Sequence, residues 1–206
     1  ASLADVFENN RQLDEWRMDL FRLIVATPSL DWLLLTKRPE HIMALAPADW
    51  SMMGWPINVW LGTSVENQEQ AEKRIPKLLG IPARVRFLSC EPLLKAIDLS
   101  WYLVPQFAAD DPRNEPWRNG VEWVIVGGES GPHARPVSPS WVRRIRDDCV
   151  AYGVPFFFKQ WGEWGPKPPY YQSPVWLDVN MIRLGKFAAG RQLDGHEWNE
   201  VPSVLK

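Results

Sequence analysis

Three glutamates each follow an apolar segment of the chain by only a few residues. They are Glu66, Glu91 and Glu129. Carboxylates that converge on one surface could bind an amine, coordinate a metal ion, or act as general acid and general base. The structural alternative is that each glutamate caps the helix that follows it.

Lys159 ends the very apolar segment PFFF. A lysine that emerges from such a strand is a candidate Schiff-base nucleophile, and the structural alternative is that it pairs with a nearby carboxylate. The predicted catalytic residues are therefore Glu91, Glu129 and Lys159. Gln160 and Trp161, which follow directly, could bind a flat substrate by hydrogen bonding and stacking.

Gly127 and Gly128 end the apolar segment that precedes Glu129. Glycine tolerates positive φ and allows a ligand to approach the main chain closely. Together with Ser64, Glu66 and Glu129, the two glycines form the predicted cofactor-binding set. The alternative is a tight turn between a strand and a helix, with the glutamate beginning the helix.

Basic side chains supply candidate contacts for an anionic substrate. Lys37 and Arg38 precede a proline, which places them in a loop or at a helix start, where they would suit a carboxylate or phosphate. A solvated surface is the alternative. The three histidines show no ligand spacing, so no metal site is predicted. The predicted substrate-binding set is Lys37, Arg38, Asn67, His133, Arg135, Gln160 and Trp161.

Five short apolar segments would position these residues. They begin near Trp32, Ile57, Val85, Trp123 and Pro155. Each interval leaves room for a crossover helix, and nearly continuous apolar runs are typical of parallel strands covered on both faces. Each segment ends in a small polar cluster, as in a barrel whose functional groups lie at the carboxyl ends of its strands. The sequence thus predicts an α/β fold, a partial or incomplete (βα) TIM-type barrel of parallel strands with alternating helices.

Five strands do not close such a barrel. Because the chain also lacks an initiating methionine, we expect a fragment whose amino-terminal strands are missing. Residues 1–164 are predicted to form the barrel portion, with a looser insertion at 92–120. Residues 165–206 are predicted to be a Trp/Pro-rich extension packed on the barrel, with a β-hairpin around Gly185.

Two amphipathic segments, one before the first strand and one between the fourth and the fifth, predict helices. Residues 141–152 are predicted to follow an N-cap at Ser140 and to end at Gly153. Residues 11–27 have apolar side chains at helical spacing. The predicted buried face of that helix comprises Leu13, Trp16, Leu20, Leu23 and Ile24.

Composition narrows the function classes. A formal net charge of -2 gives no sign of a polyanion-binding surface. No apolar run approaches the ~18 residues of a membrane span, and no signal peptide is visible, so we expect a cytoplasmic protein with no membrane partner. Cys90 and Cys149 form no disulfide framework, and Cys90 is predicted to be a small buried hydrophobe.

Seven blocks of the sequence follow one another in a fixed order: LADVFE, LLLTKRPE, NVWLGTSVEN, RFLSCEPLL, WVIVGGESGPHARP, VPFFFKQWG and GKFAAGRQLDG. Together they resemble a phage-associated and prophage protein family of unassigned biochemical activity. The resemblance implies a radical-SAM-like barrel, with an upstream three-cysteine motif ending in CYA that holds a [4Fe–4S] cluster. This chain lacks that motif, and its two cysteines cannot replace three closely spaced thiolates.

The resemblance alone implies S-adenosylmethionine and the [4Fe–4S] cluster as cofactors. Residues 127–129 match the letters of a GGE motif that contacts the methionine amino group of S-adenosylmethionine in related barrels. In this chain the motif comes late in the strand order.

Three functions stay open on the sequence. The first is the catalytic-barrel portion of a radical-SAM-like enzyme with an unknown substrate. The second is a barrel lyase or hydrolase that needs no cluster and uses Lys159 with Glu91 and Glu129. The third is a non-enzymatic module that binds a phage or host partner protein, or single-stranded nucleic acid, through the aromatic residues of 161–171.

Overall fold

Five parallel strands form the centre of the protein in a computed structural model that describes residues 5–103, 120–167 and 181–203. All five strands predicted from the sequence are present and are hydrogen-bonded in chain order. This confirms an α/β fold with a parallel sheet. The strands are β1 (Trp32–Thr36), β2 (Val59–Ser64), β3 (Val85–Cys90), β4 (Trp123–Gly127) and β5 (Phe156–Gln160).

Helices alternate with these strands, as the spacing predicts. They are α1 (Asp14–Ala26), α2 (Ile42–Leu45), α3 (Ala48–Met53), α4 (Gln68–Leu79) and α5 (Pro139–Tyr152), with short 3-10 turns at Arg11–Leu13, Pro39–His41 and Ser100–Tyr102. Helix α4 continues through Pro76 to its end. Helix α5 begins at an N-cap residue two positions earlier than predicted, Ser138 instead of Ser140, and ends at Gly153 with φ 68°. That left-handed conformation favours glycine.

The long helices pack on one face of the sheet. Leu61 of β2, Val126 of β4 and Phe158 of β5 share one core with apolar residues of α1, α4 and α5. Strands in sequential order with all long helices on one side form a singly wound sheet. A doubly wound sheet would place helices on both faces.

The opposite face of the sheet has a separate apolar cluster, built from Trp60, Val85, Phe87 and Trp123. On the same face of β1, Leu33 and Leu35 are exposed. Among the described residues, β1 and β5 do not pair with each other. The sheet formed by the described residues is therefore open.

Helix α1 turns a face inward that matches the predicted one only in part. Ile24 is buried and Leu20 packs against the core, as predicted. Arg17 and Phe21 are buried as well, whereas Trp16 and Leu23 are exposed. The Arg17 guanidinium donates to the carbonyl oxygens of residues 6 and 8 and to the carboxylate of residue 14. These bonds satisfy a buried cation, so a charged residue holds a position that an apolar pattern cannot reveal.

The carboxyl-terminal extension contains an antiparallel pair, but its partners differ from the prediction. Strand β7 (Met181–Arg183) pairs with β6 (Trp164–Pro166) and not with residues after Gly185. The chain after Gly185 forms the short helix α6 (Lys186–Ala189) instead. The predicted domain boundary at residue 165 falls within β6.

The end of the extension pairs with the edge of β5. Backbone hydrogen bonds join residues 198–200 to Phe156 and Phe158. Arg143 and Arg146 of α5 both bind the Asp194 carboxylate, each at 2.7 Å. The extension is thus bound both to a strand and to a helix.

Some predicted features lie outside the described residues. These are most of the 92–120 insertion (residues 104–119) and residues 168–171 of the aromatic segment 161–171. Within the described ranges, no helix is long and apolar enough to cross a membrane.

Candidate functional site

The face of the sheet that lacks helices presents its side chains in layers. In adjacent parallel strands, paired residues point to the same face. Ser64 pairs with Ser89, Ser89 with Ile125, and Ile125 with Phe157. The layer beneath contains Gly62, Phe87 and Trp123. Polar groups therefore occupy the carboxyl-end edge of this face, above an apolar interior.

Glu66, just beyond β2, is held by two cations. The Lys37 Nζ lies 3.0 Å from Glu66 Oε1, and Arg74 Nη1 of α4 lies 2.9 Å from Oε2. Arg74 also donates to the Ser64 carbonyl oxygen at 2.7 Å. Burial by itself would raise the pKa of Glu66, but the Lys37 hydrogen bond and the two positive charges outweigh it and lower the pKa.

Glu91, just beyond β3, reaches two residues of β5. Its Oε2 lies 2.9 Å from Lys159 Nζ, and its Oε1 accepts from Gln160 Nε2 at 3.0 Å. The same Gln160 nitrogen lies 3.3 Å from the Ser130 hydroxyl. The structure thus shows the pairing alternative for Lys159, and the pair joins two strands that are not neighbours.

Strand β4 lies between Glu91 and Lys159. Because Gly127 of β4 has no side chain, the Glu91 side chain can cross this strand. A Cβ at Gly127 would lie 2.9 Å from Glu91 Oε1. At Gly128 a Cβ would lie only 1.9 Å from the Trp161 carbonyl oxygen. Internal contacts therefore account for both glycines, and the use of these two positions by a cofactor stays a prediction.

Glu129 forms a two-pronged ion pair with Arg135. Each carboxylate oxygen accepts a guanidinium hydrogen bond at 2.9 Å, and the Arg135 backbone N–H donates to Oε2 at 2.8 Å. The hydrogen bond from Arg135 is the main cause of the low pKa of Glu129, about 2. Glu129 is therefore ionised at neutral pH. None of the three glutamates is the N-cap of a helix, since Asn67 caps α4 and Ser138 lies at the start of α5.

Four predicted binding residues lie away from these pairs or serve another purpose. Arg38 pairs with Asp5 at 3.0 Å. The Asn67 side chain accepts from the backbone N–H of residue 70. His133 is exposed. Trp161 is buried, packs edge-on against the ring of residue 158 and donates its indole N–H to a carbonyl oxygen, a placement that favours a structural role.

Three residues of the site were absent from the predicted set. Ser89 and Ser130 belong to the polar clusters after β3 and β4, so the recurrence of those clusters was a signal for them. Arg74 reaches back to Glu66 from the second turn of α4. A cation eight residues after its partner gives no distinctive sequence pattern.

The cysteines do not contribute to this site. Cys90 and Cys149 are both free and buried, which confirms the prediction for Cys90. Burial is the main cause of the raised pKa of Cys90, about 12, and it also raises the pKa of Cys149. Within the described ranges, no group of three or more histidine, cysteine, aspartate or glutamate side chains could hold a metal ion.

Residues 1–202 match the family described as protein of unknown function (DUF5131), and the chain belongs to that family. Comparisons with curated proteins and with solved structures found no match. The family assignment carries no statement of activity, so function has to be inferred from the site itself.

Gly128→Ala should destabilise the protein by about 3 kcal/mol, the upper end of the usual cost of overpacking, because the added Cβ would meet the rigid backbone of Trp161. Urea denaturation would measure the change in the free energy of unfolding. The matched control is Gly80→Ala, where a Cβ would meet its nearest atom at an ordinary 3.6 Å. Equal stability of the two variants would contradict the close approach at Gly128.

Arg135→Gln should raise the pKa of Glu129 from about 2 toward the ordinary value of about 4.3. A depressed folded-state pKa contributes stability above the unfolded pKa, and that contribution is lost as the pH falls from about 4 to 2. The carboxyl 13C shift of Glu129, followed by NMR during acid titration, would report the pKa of Glu129 in the parent protein and in Arg135→Gln. An unchanged midpoint in Arg135→Gln would show that another group holds the carboxylate.

Proposed function

We propose that this chain is the catalytic portion of a radical-SAM-like βα-barrel enzyme that binds its substrate at the carboxyl-end edge of the sheet. One observation carries the proposal: Glu66, Glu91 and Glu129 follow three consecutive strands, and each is ion-paired at that edge. Parallel α/β enzymes keep their chemistry at this end of the strands. Strongly held ionisable groups concentrated in one place are typical of functional sites.

The barrel part of the proposal has support from the sheet itself. Sequential strand order, long helices on one face and an apolar cluster on the other are features of a barrel wall. A further strand beside β1 would cover the exposed side chains of Leu33 and Leu35. The phage association implied by the resemblance is proposed on the resemblance alone.

The residues of this chain do not fit a [4Fe–4S] cluster. Such a cluster needs three closely spaced thiolates, whereas the chain has two cysteines, both buried with raised pKa values. Cluster ligands would have to come from residues outside this sequence. S-adenosylmethionine is likewise proposed from the resemblance alone.

Glu91 and Lys159 are the best candidates for proton transfer. Their 2.9 Å contact lets a proton pass between them, and the lysine side chain is half exposed, so a substrate can reach it. Lys159 would act as the general acid that gives a proton to the substrate, and Glu91 would act as the general base that takes one from it. Proton transfer across the 2.9 Å contact would then restore both groups. Positioned proton transfer of this kind contributes about 10²- to 10⁴-fold to a rate.

Glu91→Gln should therefore lower turnover by about 10²-fold or more. The assay is S-adenosylmethionine cleavage by the product of the intact gene after anaerobic iron–sulfur reconstitution. Glu69→Gln, a change at an exposed position of α4, is the matched control. Full activity of Glu91→Gln would remove Glu91 from the chemistry. An intact reading frame without a three-cysteine motif would exclude the radical-SAM assignment.

A lyase or hydrolase that needs no cluster is the second candidate, because the Lys159–Glu91 pair supplies an amine and a base within 2.9 Å. If Glu91 takes the Lys159 proton, the free amine can attack a substrate carbonyl to give a carbinolamine. Proton return from Glu91 to the carbinolamine oxygen then lets it leave as water, which forms the Schiff base. Borohydride should then trap a carbonyl substrate on Lys159, detected as a mass increase by mass spectrometry. Full activity of Lys159→Ala would rule this candidate out.

A further inference from the structure

Two serine residues that are almost wholly buried lie side by side on the face of the sheet that lacks helices. Ser64 is 4% exposed and Ser89 is 6% exposed, and the two residues are paired in the register of β2 and β3. Alternation along β2 puts Ser64 on the face of Trp60 and Gly62. Neither hydroxyl has a hydrogen-bond partner among the described residues, and neither oxygen is one of the fully enclosed side-chain atoms that lack a partner. Both hydroxyls therefore reach the open side of the sheet, where a ligand can accept their hydrogen bonds.

The charges around these hydroxyls fix the sign of that ligand. Lys37, Arg74 and Lys159 supply three positive charges, and Glu66 and Glu91 supply two negative ones. In the Lys37–Glu66 and Lys159–Glu91 ion pairs, the lysine is also the more exposed partner. The Lys37 side chain is 57% exposed against 11% for Glu66, and Lys159 is 49% exposed against 19% for Glu91. A ligand that approaches from solvent therefore meets cations first.

The hydrogen-bonding capacity of the same groups leads to the same conclusion. Both carboxylate oxygens of Glu66 are engaged, by Lys37 and Arg74. Both oxygens of Glu91 are engaged as well, by the side chains of residues 159 and 160. An ammonium group has three donors, and Lys37 and Lys159 each use only one of them on these carboxylates. Each lysine thus keeps two donors that an oxyanion ligand can use.

We propose that Ser64 and Ser89 form the floor of an oxyanion-binding site, with Lys37 and Lys159 above it, that takes a phosphoryl or carboxylate group of a small organic molecule. In the same layer, Ile125 and Phe157 continue the floor as an apolar surface, which suits the carbon skeleton of the ligand. The proposal rests on the proposed function in that this ligand is the substrate or cosubstrate bound at the edge of the sheet.

The test is isothermal titration calorimetry of the whole chain at low ionic strength, with inorganic pyrophosphate and with succinate as separate probes. At least one probe should bind, and rising salt should weaken it. Ser64→Ala and Ser89→Ala should each weaken binding about tenfold, since hydrogen bonds to charged groups are strong. Lys37→Gln, a change at an exposed position, should weaken binding without disturbing the fold.

The matched control is Ser51→Ala, an exposed serine of α3. Binding of pyrophosphate alone would identify a phosphoryl ligand, and binding of succinate alone a carboxylate ligand. The proposal is overturned if neither probe binds at millimolar concentration, or if Ser64→Ala binds as tightly as Ser51→Ala. Because these measurements need no turnover, probe binding without S-adenosylmethionine cleavage would count against the proposed function only. Cleavage without probe binding would count against this inference only.

Discussion

The parallel register of the strands is the constraint on which the rest of the molecule depends. It places Ser64 beside Ser89 and both in one layer with Ile125 and Phe157. Because side chains alternate between the faces of a strand, a slip of one residue would turn Ser89 toward the helices and Cys90 toward the opposite face. The apolar core between sheet and helices prevents that slip. The same packing that stabilises the fold therefore fixes which polar groups meet at the carboxyl-end edge.

The sequence predicts the strands well because burial on both faces leaves short, continuous apolar runs. The strands continue past these apolar runs into the polar clusters, since residues such as Thr36 and Ser64 still pair with the neighbouring strand. The inward face of α1 was not fully predictable, because the buried guanidinium of Arg17 is satisfied by backbone carbonyls that are distant in sequence. The partner of β7 was equally hidden, since pairing with β6 depends on where the extension packs.

The candidate site was predictable as a set of strand ends but not as a set of contacts. Recurrence of polar clusters indicates where Glu66, Glu91 and Glu129 lie, but not which cation each one binds. The glycines were read as room for a ligand, whereas Gly127 makes room for the Glu91 side chain on its way to Lys159. That contact crosses a whole strand. Only the register of three strands together brings the two residues within reach.

The carboxyl-terminal residues 198–200 make the two borders of the described sheet different. Their backbone bonds to β5 occupy hydrogen-bonding groups at that border, and α5 anchors the preceding turn through Asp194. At the other border, no described strand pairs with the outer side of β1. Unpaired strand borders are templates for pairing with further chain. Any segment that joins this sheet as its next strand would therefore pair with β1, because residues 198–200 already occupy the border at β5.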